Sequence, residues 1–281
     1  MTAWVKSTLA AFIVVACALA ATPSQAQLVD TVSRTQFRVC SDPANMPFSN
    51  DKLEGFENEI AALFAQHFDR ELRYFWFPMA MGFVRRTLIE NNCDVIIGFA
   101  QGDELVLNSN HYYTSTHVLV VPAESALADV TTLSDPRLQG KSLGVVAGSP
   151  AASHLAHQNL MKQARGYSLM VDRRVRDPNG EMLRDLIAGE IAAAVMWGPG
   201  GGPLTQASDA QFVVTPLLDE TATPRLFYRV TMGVRQGEDT WKRELNSAIR
   251  RLQPEIDAIL RAHGVPLLED MGTRMKEEAA N

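Results

Sequence analysis

The sequence predicts an α/β protein of two lobes, each a parallel sheet flanked by helices, with the chain crossing twice between them. Three observations carry this reading. A strand–helix–strand–helix–strand pattern fills residues 37–98. A similar βα pattern fills residues 141–197. Two extended stretches, near 114–122 and 224–232, join one pattern to the other. Parallel strands need crossover helices, which cover both faces of their sheet. Two crossings of extended chain make a hinge.

The elements follow in order. The first strand is read at Phe37–Asp42, and a polar, proline-containing loop runs on to Gly55. Phe56, Ile60, Leu63 and Phe64 then fall at helical spacing, with Glu57 and Glu59 near the N-terminus, where the helix dipole favours anions. Residues 71–77 are a second strand. Over 81–92 the helical spacing returns, with Phe83, Val84, Leu88 and Ile89 inward. Residues 94–98 are a short, continuous apolar strand of the kind buried in parallel sheets. Ligands of such sheets sit beyond the carboxyl ends of the strands. The loops at 43–54, 78–82 and 99–112 are therefore the expected functional edge.

The second half begins with a strand ending in a turn near Gly148. A helix follows, with Ser149 as N-cap and Pro150 at its first position. Residues 167–172 read as a strand. Residues 179–190 read as a helix with Met182, Leu183, Leu186 and Ile187 inward. The strand ending at Trp197 breaks into a glycine-rich loop. Further strands cover 211–217 and 224–235. A long helix from Asp239 closes the chain, and Pro254 is expected to kink or split it. The predicted lobes are 34–116 plus 231–268, and 117–230. Residues 269–281 are polar and read as a flexible tail.

Residues 1–26 carry Lys6, an apolar run from Leu9 to Ala21, and Ser24-Gln25-Ala26 before Gln27. This is the pattern of a secretory signal peptide, and the run is short for a membrane span. A loose lipobox at Val14–Cys17 is the lesser alternative. Cleavage after Ala26 leaves about 255 residues, enough for two modest domains. The formal net charge is −6 and becomes one unit more negative without Lys6. With no basic run, nucleic acid and anionic membranes are poor partners. No second apolar stretch is long enough for a membrane helix. Processing leaves Cys40 and Cys93, for which a disulfide is the natural reading in an exported protein. Two buried thiols are the alternative. Geometry is the open question, since Cys93 starts its strand and Cys40 lies near the end of its own.

The sequence holds no nucleophile elbow and no HExxH zinc motif. His154 and His157 share a predicted helix face, but without a carboxylate or cysteine beside them they read as solvent-facing histidines. Asp42 ends a strand and reads as a turn-former that accepts nearby backbone N–H groups. No catalytic residue, metal ligand or cofactor is assigned. The predicted ligand or partner cleft is Asn45, Phe48, Gly102, Tyr112, Tyr113, Gly148, Ser149, Trp197 and Gly198. Tyrosine and tryptophan offer large contact area with a polar tip. The alternative for Tyr112 and Tyr113 is packing in the hinge. Gly198, Gly200, Gly201 and Gly202 lack the Lys-Ser/Thr of a phosphate loop, and a mobile surface loop is the favoured reading of them.

The segments "RVCSDPANMPFSN", "GFENEIA", "GFVRRTLIENNCDVIIG", "YYTSTHVLV" and "VMWGP" resemble the solute-binding-like J proteins of methanol dehydrogenase gene clusters, the MxaJ/XoxJ family. More broadly, the opening resembles type II periplasmic solute-binding proteins. The likeness covers roughly 36–268. It implies a type II periplasmic binding protein fold with a two-strand hinge and a periplasmic location. It also implies a non-enzymatic accessory role in maturing or activating a PQQ-dependent quinoprotein methanol dehydrogenase. That enzyme and its cytochrome c are the implied partners. Amino-acid binders of this kind usually place an arginine in the loop spanning 99–111 and an aspartate after the strand that ends here at Trp197. This chain has neither, with Asp103 and Glu104 in the first loop and Gly-Pro-Gly-Gly-Gly-Pro at the second site. Free amino acids are therefore not expected as ligands, and Arg85 and Arg176 are the candidate substitute cations. Two other functions stay open: a transporter's binding protein for a small uncharged or apolar ligand, and an enzyme on this scaffold.

Overall fold

The computed structural model describes residues 31–102 and 104–277, so the signal-peptide reading of 1–26 lies outside the described residues. In the first half, β1 (Gln36–Ser41), β4 (Glu71–Trp76) and β5 (Val95–Ala100) are parallel, with β1 in the middle. The short pair β2 (Ala44–Asn45) and β3 (Ser49–Asn50) folds the first loop over the strand ends. Helix α1 (Phe56–His67) follows β3, and a short α2 (Phe83–Arg86) follows β4. β6 (Leu107–Asn108) leads to β7 (Tyr113–Pro122), the strand that serves both halves. Its start pairs antiparallel with β12 (Phe227–Val234), and its end pairs with β10 (Ala193–Trp197) and β11 (Phe212–Pro216). The second half adds β8 (Leu143–Val146), α3 (Pro150–His157), β9 (Ala164–Tyr167), α4 (Pro178–Ile187) and α5 (Gly198–Gln206). Helix α6 (Asp239–Ala262) closes the fold. The strand order is β4-β1-β5-β12-β7-β10-β8-β9.

Alternation along each strand feeds two cores per half. Val95 and Ile97 join Phe37, Ile60, Phe64 and Trp241 under α1 and α6, while Ile96 joins Cys40, Phe83 and Leu88 on the other face. Leu119 and Val121 face Leu143 and Leu155, whereas Val118 and Val120 face Met182 and Met196. Both faces are covered, which is why these strands read as continuous apolar runs.

Cys40 and Cys93 form a disulfide with a Cα–Cα separation of 5.4 Å. Beside it, the buried Asp94 carboxylate accepts from Arg38 at 2.6 Å and from Arg235 at 2.8 Å. Trp241 Nε1 donates to the Asp94 carbonyl, tying α6 to the start of β5.

Several expectations need correction. The helix expected over 81–92 is one turn at 83–86, and Ile89 is exposed. The Thr87 hydroxyl donates to the Phe83 carbonyl, and the chain then turns toward the disulfide. The strand expected at 167–172 ends at Tyr167, which leaves Leu169 and Met170 exposed in a loop. The segment after Trp197 is the buried helix α5 rather than a mobile loop. Its glycines let α5 press onto the β7 backbone, since a Cβ at Gly198 would collide with the Thr116 carbonyl. Helix α6 runs unbroken through Pro254. His154 is buried and bonded to the Pro224 carbonyl, with Glu220 at 3.7 Å; only His157 is exposed. Among the described residues, the tail from Glu269 is tied down. Leu268 bridges to Thr114 and Met275, and Lys276 pairs with Asp257 at 2.6 Å.

Candidate functional site

The carboxyl ends of the parallel strands converge on a cavity of about 390 Å³. Asn45, Phe48, Glu57, Met79 and Gly98 line it from the first half. Gly148, Ser149, Ser168, Arg173 and Asn179 line it from the second. The joining strands add Tyr113, His117 and Tyr228, and the end of β10 adds Trp197.

Asp42 builds the first wall. Its Oδ1 accepts the Ala44 N–H and its Oδ2 accepts the Met79 N–H at 2.6 Å, while the Ser49 hydroxyl donates to its carbonyl. One strand-end aspartate thus staples the loops at 43–54 and 78–82 together, the turn-forming part expected of it. Asn58 Oδ1 accepts from Asn50 and Gly55 at the start of α1. That fixes the helix start and so the place of Glu57, whose own N–H donates to the Phe48 carbonyl at 2.9 Å. In the second wall, Ser149 Oγ caps α3 by accepting the Ala152 N–H, and Asp177 caps α4.

The electrostatics separate the two walls. Burial pushes the Glu57 carboxyl up to about 8, and the nearby Asp42 charge pushes the same way. Burial raises Tyr113 well above its ordinary value, with Glu57 adding to it. His117 is lowered to about 4 by burial, although its Nδ1 bond to the Leu226 carbonyl, 2.7 Å long, opposes the shift. Its ring makes edge contacts with Trp197 and Tyr228 at 5.3 and 6.4 Å. On the other side, the nearest carboxylate to Arg173 is Asp177 at 4.0 Å. The Arg173 Nη1 is buried without a hydrogen bond.

The structure brings together six of the nine residues expected at the cleft: Asn45, Phe48, Tyr113, Gly148, Ser149 and Trp197. The other three lie elsewhere. Tyr112, just before β7, is buried against the Tyr113 ring at 5.0 Å and lines a second cavity with Ile249, Gln253 and Leu267, a cavity that Tyr113 lines as well. Gly102 is exposed in the open loop, and Gly198 is buried as the first residue of α5, against the Thr116 carbonyl and Pro266. The cleft has no arginine from the 99–111 loop and no aspartate after Trp197, but Glu57 and Arg173 supply charged groups to its lining. Neither substitute cation takes that place: Arg176 pairs with Glu181 at 2.6 Å, and Arg85 is exposed on α2. The strand-end rule pointed at the 168–177 loop as much as at the first-half loops, and applied there it finds Arg173. Among the described residues, no group of three or more His, Cys, Asp or Glu could hold a metal ion. No described helix is long and apolar enough to cross a membrane.

The family model for bacterial extracellular solute-binding proteins, family 3, matches residues 37–264. The chain is 32% identical to Protein MoxJ of Methylorubrum extorquens, over 89% of this chain and 91% of that protein. The crystal structure of periplasmic binding protein XoxJ from Methylobacterium extorquens AM1 is 40% identical, with a TM-score of 0.72. It covers 83% of this chain and the whole of that one. The crystal structure of MxaJ from Methlophaga aminisulfidivorans MPT has the same TM-score and coverage at 26% identity.

Proposed function

The chain belongs to the bacterial extracellular solute-binding proteins, family 3, and within them to the MxaJ/XoxJ group; on that premise we propose that it is a non-enzymatic periplasmic accessory protein that assists maturation or activation of a PQQ-dependent methanol dehydrogenase. The observation that carries this reading is the rim of the cleft. Met46 and Met81 stand exposed on first-half loops, and Leu169, Met170 and Val175 stand exposed on the facing second-half loop. A rim of large apolar side chains is a recognition surface for a protein, and methionine adapts to irregular partners. The two bodies that would close on such a partner are 34–116 with 231–268, and 117–230.

The test is deletion of the gene in its host, with active methanol dehydrogenase measured per cell. Loss of active enzyme, restored by the wild-type chain, supports the accessory role. Undiminished activity in the deletion strain would sink it. A second reading, a transporter's binding protein, draws on the cavity itself, whose 390 Å³ falls in the range for small-molecule sites. Under that reading, growth on one solute fails while the dehydrogenase stays active.

A further inference from the structure

Away from the cleft, we infer that the groove between the end of α1 and the first half of α6 is a docking site for an acidic segment of a partner protein, with Arg243 and Arg251 receiving its carboxylates.

The sequence sets cations along one exposed ridge of α6. Lys242, Arg243, Arg250 and Arg251 belong to this helix, and the three arginines are exposed. Residues 243, 247, 250 and 251 share a face, at i, i+4, i+7 and i+8. The ridge bounds a groove of about 340 Å³. His67 and Phe68 line it from the end of α1, and Thr240, Arg243, Ser247 and Arg251 line it from α6. None of these residues lines the cleft.

The cations of the ridge are not neutralised within the protein. Arg243 Nη2 donates to the Thr240 hydroxyl at 2.9 Å, and Arg250 Nη2 donates to the Ser247 hydroxyl at 3.1 Å. Both acceptors are uncharged. Lys242 and Arg251 have no hydrogen-bond or ion-pair partner among the described residues. The carboxylate in the groove, Glu244, pairs with Arg70 at 3.5 Å. Asp257 pairs with Lys276 at 2.6 Å, and Glu255, one turn past Arg251, makes no ion pair with it. By contrast, Arg38, Arg137, Arg174 and Arg176 are each held by a carboxylate. The helix itself gives no reason for this placement. Lys242 and Arg243 stand near its N-terminal end, where the dipole disfavours cations.

The chemistry selects the partner. Guanidinium groups take carboxylates through paired, charge-assisted hydrogen bonds. Arg243 and Arg251 lie two helical turns apart, about 12 Å along the axis. Carboxylates three or four residues apart on an extended chain match that spacing, at about 3.3 Å per residue. The half-buried Phe68 ring gives the groove an apolar side for the stems between them. A bilayer fits less well, because none of the exposed large apolar side chains lies on α1 or α6 to insert into it. The whole chain carries a net charge of −6, which repels an extended polyanion beyond the groove. A short acidic segment meets the groove alone.

Fluorescence anisotropy on the full mature chain tests this, with a labelled glutamate-rich peptide as probe and its glutamine counterpart as control. The glutamate peptide is expected to bind at least about tenfold more tightly than the glutamine peptide. Its affinity should fall at least about tenfold between about 0.1 and 1 M salt, as the screening length shrinks from about 10 to 3 Å. Arg243→Gln with Arg251→Gln should weaken it about fivefold or more. Arg184→Gln with Arg225→Gln removes the same charge from the second half and should leave it unchanged. Equal binding of the two peptides overturns the inference, as does salt-independent binding or binding of neither. These results are read on the wild type alone. An equal loss in the second-half variant overturns it too, since attraction would then follow net charge rather than the groove. Phosphatidylglycerol vesicles and duplex DNA are the remaining probes. Tighter binding of either, lost with Arg243 and Arg251, would assign the groove to a lipid surface or a nucleic acid and overturn the protein partner. None of these readouts involves the cleft or the dehydrogenase.

Discussion

Asp94 carries two guanidinium groups at 1% side-chain exposure, those of Arg38 and Arg235. Removing it leaves Arg235 with Glu238 as its remaining carboxylate and Arg38 with none, close to each other and largely out of water. Asp94→Ala is expected to destabilise the fold by about 3–5 kcal/mol, as for other broken buried pairs. Denaturant unfolding measures this, and a loss under about 1 kcal/mol would mean that water reaches the pair freely. Glu57 and His117 both contribute to the pH dependence of stability. Glu57 has a folded value of about 8, above its ordinary 4.5, so its contribution is full below 4.5 and is lost as pH rises through 8. His117 is lowered to about 4, so its contribution is full above about 6.5 and is lost as pH falls through 4. The two oppose each other between 4.5 and 6.5, and of the two only the Glu57 slope remains above 6.5. The melting temperature should therefore fall between pH 6.5 and 8.5, and Glu57→Gln should flatten that fall. An unchanged slope in the variant would remove Glu57 as its source. Neither residue announces this in sequence. Glu57 reads as an ordinary acidic residue in a first helical turn, and its burial comes from β5 and β7, distant in the chain.

Helix α5 reverses the usual rule for glycine in helices. Alanine normally gains about 1 kcal/mol over glycine in a helix interior. At Gly202 a Cβ would collide with the Gly264 carbonyl, whereas at Gly200 it would meet side chains alone, the Asn179 amide at 3.0 Å and the Phe48 ring at 3.7 Å. Gly202→Ala is expected to cost about 1–3 kcal/mol by overpacking, and Gly200→Ala to be close to neutral. Thermal melts of the pair decide this, and equal effects would show that α5 shifts freely. The disulfide belongs to the same scale, because it joins β1 to the start of β5 across a separation of 53 residues. Loop-closure entropy puts the loss in a Cys40→Ala, Cys93→Ala double variant at about 4 kcal/mol, less any native strain. A double variant as stable as the wild type would mean that the sheet alone holds this edge. The strands and amphipathic helices were legible because their apolar spacing is local. The α5 segment reads as a loop in sequence because Gly-Pro-Gly-Gly-Gly-Pro has almost no helix propensity. Burial against β7 and the Gly264 turn makes the helix, and that contact links residues far apart in sequence.

At the scale of the whole molecule, β7 and β12 carry both the connection between halves and the floor of the cavity, so anything seated there touches the strands about which the halves would move. The doubly wound pattern and the strand-end rule point to this cleft from the sequence alone. The exposed rim was not legible, because a methionine or leucine in a loop reads the same whether it is covered or bare. Met81, Leu169 and Met170 are more than 45% exposed and support no core. Changing all three to serine should leave stability within about 0.5 kcal/mol per site of the wild type. If the rim receives a dehydrogenase or its precursor, the same triple variant should lose the active enzyme as the deletion does. Apolar anchors at interface centres commonly contribute about 2 kcal/mol or more, so three together should reduce partner binding more than a hundredfold. Trp197→Ala probes the cavity floor separately, through its contacts with His117 and Tyr228. Loss of active enzyme in the triple variant with retention in Trp197→Ala would place the contact on the rim alone. The opposite pattern would place it in the cavity. A normal level of active dehydrogenase in both, from stable proteins, would refute the cleft as the contact surface and move the search to another face of the chain.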